Sequence, residues 1–308
     1  MKAKVLVVGS SNTDMILQLP TIPRPGETLL GGDFSVAAGG KGANQAVAAA
    51  RTGGRVTFIA SIGADTFGDQ ALAGFEKEGI DVRWIRRDAE HPSGVALIFV
   101  SERGENSIGV ASGANATLTP KRVRAAEDVF ASSAVVLLQL ETPLDAANEA
   151  IDIANEHGVP VILNPAPAMH LPDSLIAKLD FLTPNESELE TLTGIPVADR
   201  ASAEQAARVL LNKGAGHVLV TLGADGVLHC TGASRRHYSA FPVDPVDTTG
   251  AGDVFNGALA TALAEKKPVH EAILFAVAAA SISVGRLGAQ PGIPRRDEVN
   301  ALLANQSA

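Results

Sequence analysis

Sulfur, aromatic rings and positive charge are all scarce in this chain, and each shortage closes off a class of protein. A single cysteine, Cys230, allows no disulfide within the chain. That fits a reducing compartment, and the chain is expected to be cytoplasmic. Aromatic residues make up 4% of the sequence against 46% hydrophobic residues, so the core must be built from Ala, Val, Leu and Ile. Such a composition suits helices packed closely on a parallel sheet. The net charge of −9 argues against a nucleic-acid or anionic-membrane partner. An anionic nucleotide would have to be met by local donors and a metal ion. The seven histidines show no metal-ligand spacing, so a structural zinc site is not expected. Repeats and low-complexity segments are absent. The apolar run near Ile273 to Val284 is too short to span a bilayer and reads as a core helix. The opening MKAKVLVVGS, with Lys2 and Lys4 before a short apolar run, reads as a buried strand rather than a signal peptide.

What is present is an alternation of strands and helices over 308 residues, enough for one large α/β domain or two small ones. Val5 to Val8 is a buried strand ending at Gly9. Met15 to Leu19 and Thr28 to Val36 are extended pieces broken by prolines and by Gly31-Gly32. Val95 to Val100 and Asn106 to Val110 pair as a hairpin, and these early strands are expected to form a small separate sheet. Asn44 to Arg51, Asp69 to Glu78, Pro120 to Phe130 and Leu144 to His157 read as helices. Strands at Val56 to Ile59, Val135 to Leu138, Val161 to Leu163, Asp180 to Leu182 and His217 to Thr221 alternate with them and with later helices. That spacing means right-handed crossovers and a parallel sheet, with ligands at the carboxyl ends of the strands.

The run Asp247-Thr248-Thr249-Gly250-Ala251-Gly252-Asp253 is the most telling segment. A glycine-rich turn opening a helix leaves first-turn N–H groups free, and with the helix dipole these hold a phosphate oxygen. A carboxylate inside an anion site makes sense if Asp253 takes a proton from a hydroxyl that attacks the phosphate, at the mouth of an electropositive pocket. The run lacks the third glycine of a dinucleotide fingerprint. Gly39 to Ala46 is not a P-loop, because Gly42 follows Lys41. It is either an ordinary helix start or a close-approach loop whose Asn44 suits a sugar diol. Asn12-Thr13-Asp14, directly after the first strand, is either an Asx-turn or part of a binding edge. Asn185 to Glu188 fits a helix cap, or a pair organising hydrated Mg²⁺ and phosphates. Thr221 to Gly226 is a turn that could wrap a nucleotide. Glu141, at the end of a strand, is a stray carboxylate or an acceptor for a sugar hydroxyl.

Together these segments resemble the ribokinase family of carbohydrate kinases over nearly the whole chain. The resemblance rests on Gly39 to Asn44 with Gly53 and Gly63 downstream, and on Asp247 to Asp253. GSSNTD at 9–14, PGETL at 25–29, LNPAPA at 163–168, TPNESE at 183–188 and GAQPGIP at 288–294 support it. It implies an α/β parallel-sheet sandwich with helices on both faces, as a single kinase domain, 1–308. A small β-sheet lid formed by about 12–36 and 92–112 would cover the site and pair with a second subunit as a homodimer. The implied activity is ATP-dependent phosphorylation of a small sugar, D-ribose at its 5-hydroxyl before 2-deoxyribose, fructose or a nucleoside. Asn12, Asp14, Gly40, Lys41, Asn44 and Glu141 would hold the sugar. Asp253 would be the base, with Gly250, Ala251 and Gly252 as the anion hole. Asn185, Thr221, Gly223, Gly226 and Val277 would border ATP, and Glu188 would help position Mg²⁺. A K⁺ site would draw on Asp247, Thr249, Ser283, Arg286, Gly288 and Gly292, mostly through carbonyls. Two residues depart from the family pattern. Val277 stands where a histidine can stack on adenine, and Gly292 where a serine can add a side-chain oxygen.

Overall fold

The computed structural model describes residues 4–305, so Lys2 lies outside the described residues. The first part of the chain runs β1 (Lys4–Val8), β2 (Asn12–Leu19), β3 (Asp33–Gly39), α1 (Lys41–Arg51), β4 (Arg55–Gly63) and α2 (Thr66–Lys77). β5 (Ile85–Asp88), β6 (Gly94–Ser101), β7 (Asn106–Ala111), α3 (Pro120–Arg124) and α4 (Glu127–Ala131) follow. The middle alternates β8 (Val135–Leu138), α5 (Leu144–Glu156), β9 (Val161–Leu163), α6 (Asp173–Ile176) and β10 (Phe181–Leu182). Next come α7 (Glu186–Thr193), α8 (Arg200–Asn212), β11 (His217–Thr221), β12 (Val227–Cys230) and β13 (Arg235–Tyr238). α9 (Ala251–Ala264), α10 (Val269–Val284), α11 (Ala289–Gly292) and α12 (Arg296–Asn305) close it.

Two sheets result. The large one has nine strands in the order β13-β12-β11-β10-β9-β8-β1-β4-β5, and the small one four, β3-β2-β6-β7. From β11 to β5 every pairing is parallel, and only the hairpin β11-β12-β13 runs antiparallel. The two-residue period of a strand divides the core. Val5 and Val7 of β1 point to one side, where α1, α9, α10 and α12 pack; Leu6 and Val8 point to the other, against α3 to α8. Because both faces are covered, the central strands are continuous apolar runs. Alanine dominates the packing faces of α1, α9 and α10 and lets them sit close. No helix among the described residues is long and apolar enough to cross a membrane.

Three elements differ from the sequence reading. The second lid strand begins at Asp33 and reaches Gly39, because Gly31 and Gly32 take φ of 103° and 100° and interrupt any earlier strand. Pro120 to Phe130 is two short helices. Tight bonds at Ala126 N–H to Val123 O (3.0 Å) and Val129 N–H to Ala126 O (2.8 Å) turn the chain so that Phe130 enters the core. β5 was not foreseen, since Ile85-Arg86-Arg87-Asp88 carries one apolar residue and earns its place by pairing with β4 at the edge of the sheet.

Candidate active site

The carboxyl ends of β1, β8, β9, β10 and β11 open on one edge of the large sheet, and the small sheet leaves the body at the same edge. α1 begins there without a side-chain cap from Gly40. Its orphan donors are satisfied from afar instead. Lys41 N–H donates to Glu141 Oε2 (2.9 Å), Gly42 N–H to Ser10 Oγ (3.2 Å) and Ala43 N–H to Ser10 O (2.8 Å). Ser10 Oγ in turn donates to Glu141 Oε2 (2.6 Å). Glu141 therefore ties β8 to α1 through one oxygen and keeps the other for a further donor. Gly42 must be glycine, because a Cβ there would lie 2.4 Å from Ser10 N. Asn12 and Asp14 share one face of β2, and Asn12 Oδ1 accepts from Asn115 Nδ2 (2.7 Å), which also binds Ser11 O (3.1 Å).

Asp253 lies in the first turn of α9, whose N-cap, Gly250, holds φ at 75°. The side chain is 6% exposed. Asn44 Nδ2 donates to its Oδ2 (3.0 Å) and Gln45 Nε2 to its Oδ1 (2.9 Å), so α1 carries both donors to the carboxylate of α9. Burial pushes the Asp253 carboxyl above the usual range, while Lys41, Asn44 and Gln45 pull it back. Above Gly252 a Cβ would meet nothing within 4 Å, which leaves room over the helix N-terminus. The expected anion hole is narrower than the three residues suggest. Ala251 N–H donates to Thr248 O (3.2 Å), and Val254 N–H makes the first helical bond to Gly250 O (2.9 Å). The N–H groups of Gly252 and Asp253 have no intrahelical partner by position.

The expectation of an electropositive pocket around Asp253 needs correction. Four carboxylates, Asp14, Glu141, Glu188 and Asp253, share the site with Lys41. Burial would lower the Lys41 ammonium, but Asp253, Glu141 and Glu188 together hold it above its ordinary value. Burial, then Glu141, then Asp253, raise Asp14 to about 6. Positive potential comes from one lysine and from helix N-termini, a pattern that net composition does not reveal.

Asn185 and Glu188 form a complete capping box on α7. Asn185 Oδ1 accepts from Glu188 N (2.8 Å) and Glu188 Oε2 from Asn185 N (2.9 Å). The plain reading of that segment therefore holds, while Glu188 also senses Lys41: burial raises its carboxyl, and the Asn185 N–H and Lys41 oppose the rise. Thr221 bridges to Asn185, its N–H donating to Pro184 O (2.9 Å), so the ends of β10 and β11 lie side by side. The two glycines of the next turn differ. Gly223 faces open space, whereas a Cβ at Gly226 would lie 2.1 Å from Tyr238 O, so its own hairpin accounts for it. Val277 is 3% exposed, packed inside α10 among core residues, and presents little surface to any ligand.

The six expected cation residues converge. Asp247 Oδ1 accepts from Thr249 N (2.9 Å) and Oδ2 from Gly288 N (2.8 Å), and Asp247 N–H reaches Val284 O (3.1 Å). These bonds keep the Asp247 carboxyl below its usual range in spite of burial. A Cβ at Gly292 would lie 3.3 Å from Ser283 O and 3.7 Å from Arg286 O, so both carbonyls face the same small space.

Sequence reasoning passed over Ser10, Gln45, Asn115, Gln139 and Asn164. One signal was available: Gln45 is a polar residue in an alanine-rich helix, beside Asn44, and it is fully buried. Ser10, Gln139 and Asn164 each follow a strand at its carboxyl end. For Asn115 nothing local distinguishes a buried amide from a surface one.

Residues 2–296 match the model of the pfkB family carbohydrate kinase. The chain is similar to a ribokinase of Haemophilus influenzae, 48% identical over 303 residues, covering 98% of this chain and 99% of the relative. It is also similar to a deoxyribokinase of Salmonella typhi, 40% identical over 302 residues, covering 97% and 98%. Among solved structures, a ribokinase of Arabidopsis thaliana complexed with ribose and ATP superposes with a TM-score of 0.92 at 34% identity, covering 98% and 99% of the two chains. The chain belongs to the pfkB family of carbohydrate kinases.

Proposed function

We propose that the protein transfers the γ-phosphoryl group of ATP to the 5-hydroxyl of D-ribose, giving ribose 5-phosphate and ADP. The observation that carries this reading is Asp253: a buried carboxylate held by two amide donors at a helix N-terminus, beside Lys41 and below open space. Similarity to the Haemophilus ribokinase over nearly the full length, and to a structure holding ribose and ATP, supports the choice of substrates.

Asn12, Asp14, Gly40, Lys41, Asn44 and Glu141 surround the sugar. Asn44 Oδ1 is buried and unpartnered, as an acceptor waiting for a hydroxyl would be. Asp253 removes the proton from the attacking hydroxyl as the bond to phosphorus forms, which general-base positioning favours by about 10²–10⁴-fold. N–H groups of the α9 first turn, with Gly250, Ala251 and Gly252 as its walls, receive charge on the equatorial oxygens. Asn185, Thr221 and Gly223 border ATP; Gly226 shapes the turn and Val277 supports the wall from within.

No group of His, Cys, Asp or Glu among the described residues is placed to hold a metal ion by itself. Glu188 and Asn185 therefore suit Mg²⁺ that keeps water and phosphate ligands, where it supplies charge neutralisation. The carbonyls of Ser283 and Arg286 facing Gly292, with the Asp247 loop, suit a large monovalent cation such as K⁺, which would firm the turn before α9. The small sheet serves as a lid that excludes water. It leaves β3 and β7 as free edges and exposes Phe34, Val36 and Leu97 on one face, which supports a homodimer formed through it.

The deoxyribokinase relative favours 2-deoxyribose as the second reading. D-Ribose, 2-deoxyribose, D-fructose and adenosine, each offered with ATP and followed by ADP release, separate the choices. The highest kcat/KM is expected for D-ribose. A higher value for any other acceptor overturns the assignment.

A further inference from the structure

Behind the Asp253 carboxylate runs a chain of buried amides whose polarity is set by the backbone. Asn164 Nδ2 donates to Thr183 O (3.2 Å). A carbonyl only accepts, so Asn164 must present its nitrogen there and its oxygen to the other side. That oxygen receives Gln45 Nε2 (3.1 Å), and the same nitrogen donates to Asp253 Oδ1 (2.9 Å). Turning the Gln45 amide over would set its oxygen against Asn164 Oδ1 and against the carboxylate. Gln139 adds a second restraint by donating Nε2 to Gln45 Oε1 (2.5 Å). Gln45 is wholly buried, so bulk water does not reach these bonds. Asp253 Oδ1 thus faces an N–H donor whether the carboxyl is charged or neutral.

The other oxygen is treated differently. Asn44 Nδ2 donates to Asp253 Oδ2 (3.0 Å), but Asn44 Oδ1 has no protein partner. No second bond holds this amide from its oxygen side, so once Oδ2 carries a proton the amide can turn to offer its oxygen. A proton on Oδ1 would confront a fixed donor, whereas a proton on Oδ2 can be accepted by Asn44 Oδ1.

We propose that Gln45 is a positioning residue that reserves Asp253 Oδ1 as a hydrogen-bond acceptor and directs the proton taken from the sugar hydroxyl to Oδ2. The inference rests on Asp253 being the base. In the step, the sugar O–H bond breaks and its proton bonds to Oδ2. The sugar oxygen bonds to the γ-phosphorus while the bond from that phosphorus to the bridging oxygen of ADP breaks. The proton leaves Oδ2 for solvent after the products depart. The charged groups facing Asp253 are Lys41, which favours its ionised form, and Glu141, Asp14 and Glu188, which oppose it. Gln45 adds a neutral donor on the side of ionisation.

The test is the pH profile of kcat with D-ribose and ATP. Gln45→Leu is expected to move the acid limb up by about one pH unit, since a hydrogen bond to a charged group is lost. Turnover near neutrality should fall about tenfold or more, with KM for ATP within about twofold. Gln45→Glu provides a second reading that survives if the leucine variant does not fold. Its protonated carboxyl donates to Oδ1 as the amide did, so activity persists at acid pH and an alkaline limb appears that the parent lacks. A folded Gln45→Leu whose acid limb stays in place, or a Gln45→Glu profile with no new alkaline limb, overturns the proposal. Asp253→Asn, measured alongside, separates the two levels. If it keeps near-parent turnover, the base assignment falls and the inference with it. If it loses turnover while Gln45→Leu leaves the limb unmoved, only the role of Gln45 falls.

Discussion

Asp14, one of the proposed sugar ligands, trades stability for function. It is half-buried in β2, and burial, with Glu141 and Asp253 adding to it, raises the carboxyl to about 6, well above the ordinary 3.8. A carboxyl whose folded value is raised adds stability that is complete below about 4 and lost as pH rises through about 6. At neutral pH the folded protein therefore holds a charge it would be more stable without. Asp14→Asn should raise stability by about 1–3 kcal/mol near pH 7.5, with the gain vanishing towards pH 4, as read from thermal melts. The same variant should bind the sugar poorly, because an ionised acceptor is lost. In the parent, KM for the sugar should climb as pH falls through about 6, while the asparagine variant shows no such climb. A flat KM between about pH 5 and 8 in the parent would remove Asp14 from the sugar set.

At the scale of elements, the site is a contact between α1 and α9. Gly257 lets these helices meet. A Cβ at that position would lie 2.5 Å from Gln45 O, 2.6 Å from Ala48 Cβ and 2.8 Å from Ala49 N. Gly257→Ala should push the two axes apart and stretch the Asn44 and Gln45 bonds to Asp253. The expected cost is about 1–3 kcal/mol of stability, typical of overpacking, with a fall in kcat larger than the rise in sugar KM. Equal kcat in a variant that melts lower would show that the helix spacing does not set the chemistry. The contact also explains what could be read in advance. The helix at Asn44 to Arg51 and the Asp247 to Asp253 turn are local patterns, the first legible as a helix and the second as a helix start with open donors. The pairing of Gln45 with Asp253 joins positions 208 residues apart, and no periodicity announces it. The same holds for Glu141, legible as a carboxylate at a strand end but not as the group that caps α1 from 100 residues away. β5 and the broken helix after Pro120 were missed because tertiary pairing and a tightened turn overrode weak local signals.

For the whole molecule, the consequence lies in the small sheet. Val36, Met15 and Leu97 form one cross-strand row, and Phe34, Leu17 and Phe99 the next on the same face. Asp14 and Ile16 point to the opposite face, with Val110 and Ile108 beside them in register. A four-stranded sheet that is apolar on both faces is unsuited to standing alone in water. Phe34 is 62% exposed and Leu97 51%, so in a single copy this surface is left uncovered. In the proposed reading the face bearing Asp14 covers the sugar, and the opposite face is where a second copy would pack. Leu97→Lys puts a charge at the centre of that face without touching Asp14. It should convert a dimer to a monomer in sedimentation velocity, with KM for the sugar raised several-fold and kcat less affected, because the lid loses its outer support but the base and its donors are untouched. The large sheet should melt as before. A variant that stays dimeric would place the subunit contact elsewhere, and a parent that sediments as a monomer would leave the apolar rows without a partner of their own kind.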